Sequence, residues 1–380
     1  MPRRTERLRL SHGAPGVARE VLVHRYGKSG ARPKAYLQAS LHADEVPAML
    51  VAHHLVRQLD EAAAAGAIAG EIVVVPYANP IGLAQRVDGV HLGRHELAGG
   101  GNFNRNWPDL YALVAERLDG RLTDSPAENV ALIRRTLQET LAAREPRDEL
   151  DSLRLILARL AVDADLVLDL HSDSEALMHL FLIPAHWPLG RDIAAELGCC
   201  AVLLAEDSGG GAFDEAFATP WVRLAARFPE HPIPPACLGA TVELRGSADV
   251  SDELAEADAR ALVRALQRHG VISGDPGAPP ELLCEATRLD ACETLRAPAT
   301  GIVTYAVELG AQVRKDDPVA TLVDPAAESP ERARLELRAS TDGLVLSRRN
   351  HKFVWSGTTV AKIVGREPLP GRIGGYLLED

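Results

Sequence analysis

The first three-quarters of the chain alternates short apolar runs with amphipathic segments. Apolar spacing typical of helices occurs over Val46–Leu59, from Pro126 to about Ala143, over Asp148–Ala161 and over Ser251–His269. Short apolar or β-branched runs predict strands at Glu20–His24, Ala35–Leu41, Glu71–Val75, Asp165–Leu170, Ala201–Ala205 and Ala240–Leu244. Because strands alternate with helices, we expect an α/β fold with a mixed open sheet and helices on both faces.

The pattern changes beyond residue 272. Ser273–Pro280 is rich in Gly and Pro and predicts a linker. Short β-type segments then recur between Gly turns, at Gly301–Val307, Val319–Leu322, Arg334–Arg338, Leu344–Ser347, Lys352–Val354 and Val360–Val364. Ala297–Val303 and Ala339–Val345 resemble each other, as do the two halves of a biotinyl/lipoyl-type barrel. We therefore expect a catalytic domain over residues 1–272, a linker over 273–285 and an all-β barrel over 286–380.

Composition narrows the class of protein. With 380 residues, of which 46% are hydrophobic, the chain can bury one large core and a smaller one. Its net charge of −12 argues against a nucleic-acid partner. No stretch approaches the ~20 apolar residues of a membrane helix, and no apolar run follows the basic segment Met1–Leu10, so neither a membrane span nor a signal peptide is expected. Five cysteines without a CxxC pair favour a cytoplasmic location.

The distribution of lysines excludes two kinds of chemistry. No Lys lies between Lys34 and Lys315, so the main body contains neither a Schiff-base lysine nor a P-loop lysine. The hairpin between the two barrel halves, Asp324–Arg334, also lacks Lys. Since carriers of the biotinyl/lipoyl type are modified on a lysine of that hairpin, a swinging-arm function is not expected.

The segment Leu41-His42-Ala43-Asp44-Glu45 follows a predicted strand and precedes a helix. Ligands of open α/β sheets bind at the carboxyl ends of strands, and His42 and Glu45 are close enough in sequence to grip one ion. Catalytic zinc sites commonly use two His and one Glu. A lone HxxE also occurs by chance at solvated helix starts, so a third ligand is required.

His171 is the candidate third ligand. It follows directly on a predicted apolar strand, at whose end an imidazole is rarely core filling. Asp169 or Asp173 could orient its second ring nitrogen. His91 and His95, in a Gly-rich loop, remain alternatives.

Two further motifs carry candidate chemistry. Asn104 and Arg105 offer an amide and a guanidinium fork, which together match a substrate carboxylate. Glu243 is set in an apolar strand, where an unpaired carboxylate is costly. Beside zinc, such a Glu can take a proton from water and deliver it to a leaving amine.

These motifs follow one another in the order of the zinc carboxypeptidase superfamily, which the chain resembles. The order comprises His42-x-x-Glu45, Asn79-Pro80-Ile81-Gly82, Asn104-Arg105-Asn106, His171 and Thr241-Val242-Glu243. With the Lys-free C-terminal barrel, the chain resembles the succinylglutamate desuccinylase/aspartoacylase family over nearly its whole length. The resemblance implies one Zn²⁺ per chain.

The resemblance also implies a role for each motif. His42, Glu45 and His171 would bind the zinc, Asn104 and Arg105 would hold the free carboxylate of the substrate, and Glu243 would be the general base and acid. An Arg upstream of the Asn-Arg pair would polarise the scissile carbonyl. Arg94 is our choice for that position and Arg86 is the rival.

The chain departs from the family pattern in two places. No Tyr lies between Tyr111 and Tyr305, so we expect the substrate wall to come from Phe213, Phe217 or Trp221 in a Gly209–Trp221 loop, or from barrel residues. Glu243 is followed by Leu244-Arg245 rather than Leu-Gly. We expect Arg245 to lie on the Glu243 side of the strand, where it could tune that base or bind an acidic group of the substrate.

The expected function is zinc-dependent hydrolysis of small N-acyl amino acids in amino-acid metabolism, with an acetyl or succinyl group removed. The barrel would lean over the cleft and exclude polypeptides. The alternatives are a metallocarboxypeptidase that acts on peptides and a catalytically inactive zinc-binding relative. The expected partner is a small-molecule substrate, and a homo-oligomer is left open.

Overall fold

The structure is a computed structural model that describes residues 1–370 and Arg372. The other residues of the predicted barrel segment 286–380, namely 371 and 373–380, lie outside the described residues. The α-helices of the described part are α1 (Pro47–Ala64), α2 (Pro80–Leu83), α3 (Leu110–Val114), α4 (Pro126–Ala142), α5 (Glu149–Ala161), α6 (Trp187–Leu197), α7 (Phe213–Arg227) and α8 (Asp252–Arg268).

The strands fall into a first group up to residue 288 and a second group in the C-terminal part. The first group is β1 (Arg4–Arg9), β2 (Glu20–Tyr26), β3 (Lys34–Ala39), β4 (Glu71–Val75), β5 (Arg86–Val87), β6 (Val90–His91), β7 (His95–Glu96), β8 (Gly101–Asn102), β9 (Leu166–Asp173), β10 (Glu175–Ala176), β11 (His179–Leu182), β12 (Ala201–Leu204), β13 (Leu238–Gly246) and β14 (Ala286–Arg288). The second group is β15 (Cys292–Arg296), β16 (Gly301–Tyr305), β17 (Gln312–Val313), β18 (Pro318–Val323), β19 (Arg334–Arg338), β20 (Gly343–Arg348), β21 (Phe353–Val354) and β22 (Thr359–Val364).

The large sheet is mixed and nine-stranded, in the order β1-β2-β4-β3-β9-β13-β11-β12-β14. Its central strands β4, β3, β9 and β13 are parallel to one another, whereas β2 and β11 run antiparallel to their neighbours β4 and β13. The carboxyl ends of β3, β9 and β13 therefore meet at one edge of the sheet, where a ligand site is expected in such folds.

Helices cover both faces of this sheet, as the apolar runs predict. Successive residues of a strand point to opposite faces. Val167 of β9 accordingly packs in a core with α3, α4, α5 and α7, and Leu168 packs in a core with α1, α6 and α8. Because both faces are covered, the central strands are apolar without alternation.

Side-chain caps begin three of the four predicted helices, α4, α5 and α8, whereas α1 begins without one. Asp148 accepts a hydrogen bond from the backbone N–H of Asp151 at 2.7 Å at the start of α5, and Ser251 accepts one from Leu254 at 3.2 Å at the start of α8. Such caps satisfy N–H groups that lack an intrahelical partner. All four helices predicted from the apolar spacing are present, and α1 continues to Ala64.

The predicted Gly209–Trp221 loop is wrong from residue 213 onward, because this segment begins α7. Phe213, Phe217 and Trp221 recur every four residues, so they share one helical face and are buried in the sheet core. They do not line the site cavity described below. Pro220 lies inside this helix, and such an internal Pro disfavours a helix prediction.

We call residues 292–364 the β region. A five-stranded sheet contains β10, β20, β22 and β15 in that order, with β17 paired to β20, and a four-stranded sheet has the order β19-β18-β16-β21. A strand begins at the same position of each of the two similar sequence segments, β16 at Gly301 and β20 at Gly343. β10 comes just after β9 in sequence and pairs with β20 of the β region. The five-stranded sheet therefore joins the β region to the segment that follows β9.

Candidate active site

A tight turn between β3 and α1 brings His42 and Glu45 together. Ser40, with a positive φ of 55°, begins the turn, and its hydroxyl donates to the carbonyl of Glu45 at 2.9 Å. The backbone N–H of Glu45 donates to the carbonyl of His42 at 3.1 Å. Both side chains are buried, and His42 Nδ1 lies 2.8 Å from Glu45 Oε1.

His171 joins this pair from the neighbouring strand. It lies inside β9, which continues to Asp173, so the expectation that His171 follows the end of the strand is wrong. Because β3 and β9 are parallel, His171 lies at the same sheet edge as the turn, and its Nδ1 is 2.8 Å from Glu45 Oε2. Candidate ligand atoms of His42, Glu45 and His171 all lie within 4.8 Å of one another.

The Nε2 atoms of both imidazoles, which point away from Glu45, face oxygen atoms. Asn102 Oδ1 accepts the backbone N–H of Asn104 at 2.8 Å, which fixes the orientation of the Asn102 amide. His42 Nε2, 2.8 Å from the same oxygen, must then be a donor. His171 Nε2 lies 2.9 Å from the buried carboxylate oxygen Asp169 Oδ2. The ring of His42 therefore turns the lone pair of Nδ1 toward Glu45. Burial acts to lower the pKa of His171, but the carboxylates of Asp169 and Glu45 outweigh it and raise that pKa well above its usual value, which favours a proton on this ring while no metal ion is bound.

This donor set fits a divalent ion. Two imidazole nitrogens and a carboxylate oxygen converge there, and while no metal ion is bound the Arg94 guanidinium and the imidazole of His171 lie against the charge of Glu45. Burial, and then the charge of Arg94, lowers the pKa of His42 to about 4, so a proton on its Nδ1 is not favoured. Two imidazole nitrogens and one carboxylate oxygen are the ligands of many catalytic zinc sites. In the described part of the chain, no other cluster of His, Cys, Asp or Glu has this geometry.

Glu243 stands next to this group on β13. The two strands are parallel, and Glu243 is paired in register with His171. Glu243 Oε2 is inaccessible to solvent and has no hydrogen-bond partner among the described residues. Burial, and then the neighbouring charge of Glu45, raises the pKa of Glu243 to about 8. The carboxyl is thus poised to exchange a proton near neutral pH.

Of the two candidate arginines, only Arg94 lies at the site. Arg94 Nη1 is 3.2 Å from His42 Nδ1 and 3.4 Å from Glu45 Oε1. Gly93 allows this approach, because a Cβ there would lie 2.2 Å from the backbone nitrogen of Asp44. Arg86 is exposed on the β5–β6 hairpin and does not line the cavity.

Asn104 and Arg105 are buried in the cavity wall, and Asn104 Nδ2 lies 3.4 Å from His171 Nε2. Asn104 Oδ1 accepts the backbone N–H of Phe213 at 2.8 Å, and Arg105 Nη1 donates to the carbonyl of Asn104 at 2.8 Å. Both side chains line the cavity, as does His95, whereas His91 contacts the carbonyl of Gly82 at 3.1 Å.

Arg245 does not lie where the sequence pattern predicts. It has a positive φ of 65° at a register shift in β13, so the alternation of sides is broken at this point. Its guanidinium pairs with Asp258 of α8, and it does not line the cavity. The structure therefore contradicts a place for Arg245 beside Glu243.

A cavity of about 970 Å³ connects these groups, and the β region forms part of its wall. The lining residues that come from the C-terminal part are Leu289, Arg296, Arg349, Asn350, His351, Thr358 and Lys362. Sequence reasoning gave barrel residues as one alternative for the substrate wall but named none of these, and it missed the contact of Asn102 with His42. None carries a local motif, because their position depends on how the β region packs against the large sheet.

No helix in the described part of the chain is long and apolar enough to cross a membrane. The described cysteines, Cys199, Cys200, Cys237, Cys284 and Cys292, are all free.

Comparison with known proteins agrees with the geometry. A succinylglutamate desuccinylase/aspartoacylase family protein of Shewanella amazonensis SB2B is 26% identical, with a TM-score of 0.82 over 95% of this chain and 98% of that one. A protein of the same description from Shewanella frigidimarina NCIMB 400 is 24% identical, with a TM-score of 0.82 over 96% and 97% of the two chains. The ectoine utilization protein EutE (DoeB) of Ruegeria pomeroyi shares the fold at 19% identity, with a TM-score of 0.68 over 96% and 95%.

No curated protein matches the sequence. The family model of the succinylglutamate desuccinylase/aspartoacylase catalytic domain matches residues 31–269, which is more than half of the chain. The match includes His42, Glu45, His171 and Glu243. The chain therefore belongs to the succinylglutamate desuccinylase/aspartoacylase family of deacylases.

Proposed function

We propose that the protein is a zinc-dependent amidohydrolase that removes a small acyl group, acetyl or succinyl, from an N-acyl amino acid. The observation that carries this proposal is the convergence of His42, Glu45 and His171 at the sheet edge, directly beside Glu243. Each His turns its Nδ1 toward Glu45 while an oxygen atom faces its Nε2.

His42, Glu45 and His171 would hold the zinc, and Glu243 would manage the proton. A zinc ion there would polarise the amide carbonyl and lower the pKa of a water molecule. Glu243 takes the proton of the attacking water and delivers it to the departing nitrogen. The new C–O bond forms first and the carbonyl oxygen gains negative charge; the amide C–N bond then breaks as the nitrogen is protonated, which yields a carboxylic acid and a free amino acid.

Arginine and asparagine side chains would hold the substrate. Arg94, beside His42, would stabilise the negative charge that develops on the carbonyl oxygen. Asn104 and Arg105, buried in the cavity wall, would bind the carboxylate of the amino acid by hydrogen bonds to a planar, charged group.

The β region favours a small substrate over a peptide. Arg349, Asn350 and His351 line the same cavity as the metal-binding group, so the β region borders the space above it. A carboxypeptidase needs an open groove for a long chain. We infer that residues 286–380 form a barrel of the biotinyl/lipoyl type that limits access in this way, and that residues 1–272 are the catalytic domain, connected by the linker 273–285.

The proposal is tested by the zinc content of purified protein together with hydrolysis of a panel of N-acetyl and N-succinyl amino acids. We expect about one zinc per chain, and turnover of at least one member of the panel in preference to a C-terminal residue of a long peptide. Equal rates on peptides would favour a carboxypeptidase.

Replacement of the proposed base gives the sharper test. Glu243→Gln should keep the zinc and lose about 10²–10⁴-fold in kcat, as expected for loss of a general base. Full activity in a zinc-loaded Glu243→Gln variant would overturn the mechanism. A wild-type protein that binds zinc but hydrolyses no substrate of either kind would be an inactive relative.

A further inference from the structure

Lys362 is a cavity-lining lysine of the β region to which the mechanism above gives no role. It lies on β22 and is paired in register with Ser347 of β20, which is itself paired with Ala176 of β10. This row of strands brings Lys362 to the segment that follows His171. Its Nζ lies 2.7 Å from Oδ2 of Asp173, the last residue of β9.

Asp173 connects the ends of the two strands that carry the reactive groups. Its carboxylate Oδ1 accepts the backbone N–H of Ser174 at 2.7 Å, and its backbone carbonyl accepts the N–H of Ser247 at 2.8 Å. Ser247 directly follows β13, so Asp173 ties β9, which carries His171, to β13, which carries Glu243. A cation that fixes Asp173 therefore also fixes the spacing of His171 and Glu243.

The ammonium of Lys362 also acts toward Glu243 itself. Lysine has three N–H donors, and within the described residues the only acceptor assigned to Lys362 Nζ is Asp173. Lys362 and Glu243 line the same cavity, and although burial acts to lower the pKa of Lys362, the charges of Asp173 and then Glu243 raise it. Glu243 Oε2 is the buried oxygen that has no partner in the described part of the chain.

A second lysine makes an equivalent contact outside the site. Lys352 Nζ lies 2.7 Å from Glu175 Oε1, so it also joins the β region to the segment after β9. The side chain of Lys352 is 41% exposed and does not line the cavity, whereas that of Lys362 is 19% exposed and does. A comparison of variants at the two lysines therefore distinguishes a role in the contact between the β region and the large sheet from a role in the site.

We propose that Lys362 is a positioning residue of the hydrolytic centre, supplied by the β region, which holds Asp173 and orients the carboxylate of Glu243 beside His171. This inference rests on the proposed function, in which Glu243 transfers the proton. Without the ammonium, Asp173 is a largely buried charge without its cation, and the ends of β9 and β13 are free to shift. A misplacement of about 1 Å at a reacting group can cost about 10²-fold in rate.

The first test compares Lys362→Met with Lys352→Met. We expect Lys362→Met to lower kcat about 100-fold, with KM and zinc content close to the wild-type values, because Glu243 and not the substrate loses its support. Lys352→Met should stay within about fivefold, as for an exposed ion pair. Lys362→Arg, which keeps the charge, should recover part of the lost kcat.

Three kinetic results would overturn the proposal. They are a wild-type kcat in Lys362→Met, an effect on KM alone, and equal losses in the Lys362→Met and Lys352→Met variants. The last would reduce Lys362 to a contact between the β region and the sheet.

The second test does not depend on turnover or on metal, and it remains decisive if Lys362→Met does not fold. The chain has five lysines, so lysine labelled with ¹³C at Cε gives few NMR signals, and the Lys362 signal is identified by its absence from Lys362→Arg. In metal-free protein, Glu243→Gln should shift the signal of Lys362 and leave that of Lys352 unchanged.

An unchanged Lys362 signal would overturn the proposal. If the wild-type protein hydrolyses no N-acyl amino acid, the proposed function fails, yet this measurement still reports whether Lys362 faces Glu243.

Discussion

The cavity has a floor and a roof of opposite character. The floor, at the edge of the large sheet and its loops, contributes all of the lining acids: Asp44, Glu45, Asp173, Asp214, Glu215 and Glu243. The roof, from the β region and the residues just before it, contributes Arg296, Arg349, His351 and Lys362 among the lining residues, and no acid. The floor also contributes Arg94 and Arg105, so the two parts differ in their acids: the floor carries all of them, and the roof adds only basic and uncharged groups.

The candidate metal-binding group of the floor is also more deeply buried than residues 349–351 of the roof. His42, Glu45 and His171 are held by buried partners whose own groups are fixed by strands and backbone hydrogen bonds. Asn350 and His351 of the roof are exposed, and Arg349 is half-buried. Precise chemistry requires groups fixed by their surroundings, so changes in the floor should cost more than changes in the roof.

The largest expected effect in this comparison concerns Arg94 of the floor. Arg94→Met should lower kcat/KM by about 10²–10³-fold, because it removes a group that stabilises developing charge. Arg86→Met is the matched control on the same loop segment, and its exposed side chain should leave the kinetics unchanged. Steady-state kinetics of both variants check this. An active Arg94→Met beside an inactive Arg86→Met would reverse the assignment.

An intermediate effect is expected at the candidate metal-binding group of the floor. Asn102→Ala removes the oxygen that accepts from His42 Nε2, so the ring loses its fixed orientation. Zinc affinity should fall about 10- to 100-fold, the usual cost of losing such an outer partner. Titration against a zinc-binding dye measures it. Unchanged affinity would mean that the turn alone orients His42.

The smallest effect should come from the roof. Arg349 lines the cavity at its half-exposed side, so its charge is screened by water. Arg349→Met should raise KM for N-succinyl amino acids about two- to fivefold relative to N-acetyl ones, with zinc affinity unchanged. Paired assays on both substrate types provide the check. A loss of zinc affinity in this variant would contradict the division between floor and roof.

The fold and most of the metal-binding group are predictable from local pattern. Periodicity located α1, α4, α5 and α8, and β-branched runs located the central strands, because burial of one or both faces imposes those patterns. Periodicity failed at α6, which was not predicted, and at α7, where the internal Pro220 and the preceding glycines are typical of a loop. The His42–Glu45 spacing identified the metal-binding pair, since both residues belong to one turn.

The sequence by itself therefore determined most element types, the change of pattern after residue 272 and the candidate metal ligands, because each depends on residues within one segment of the chain. Only the tertiary structure decided that Arg94 rather than Arg86 reaches His42, that Arg245 turns to Asp258, that Asn102 contacts His42 and that Lys362 contacts Asp173. Those outcomes depend on strand register, on a bulge and on packing between segments far apart in sequence, and such contacts leave no periodic trace along the chain.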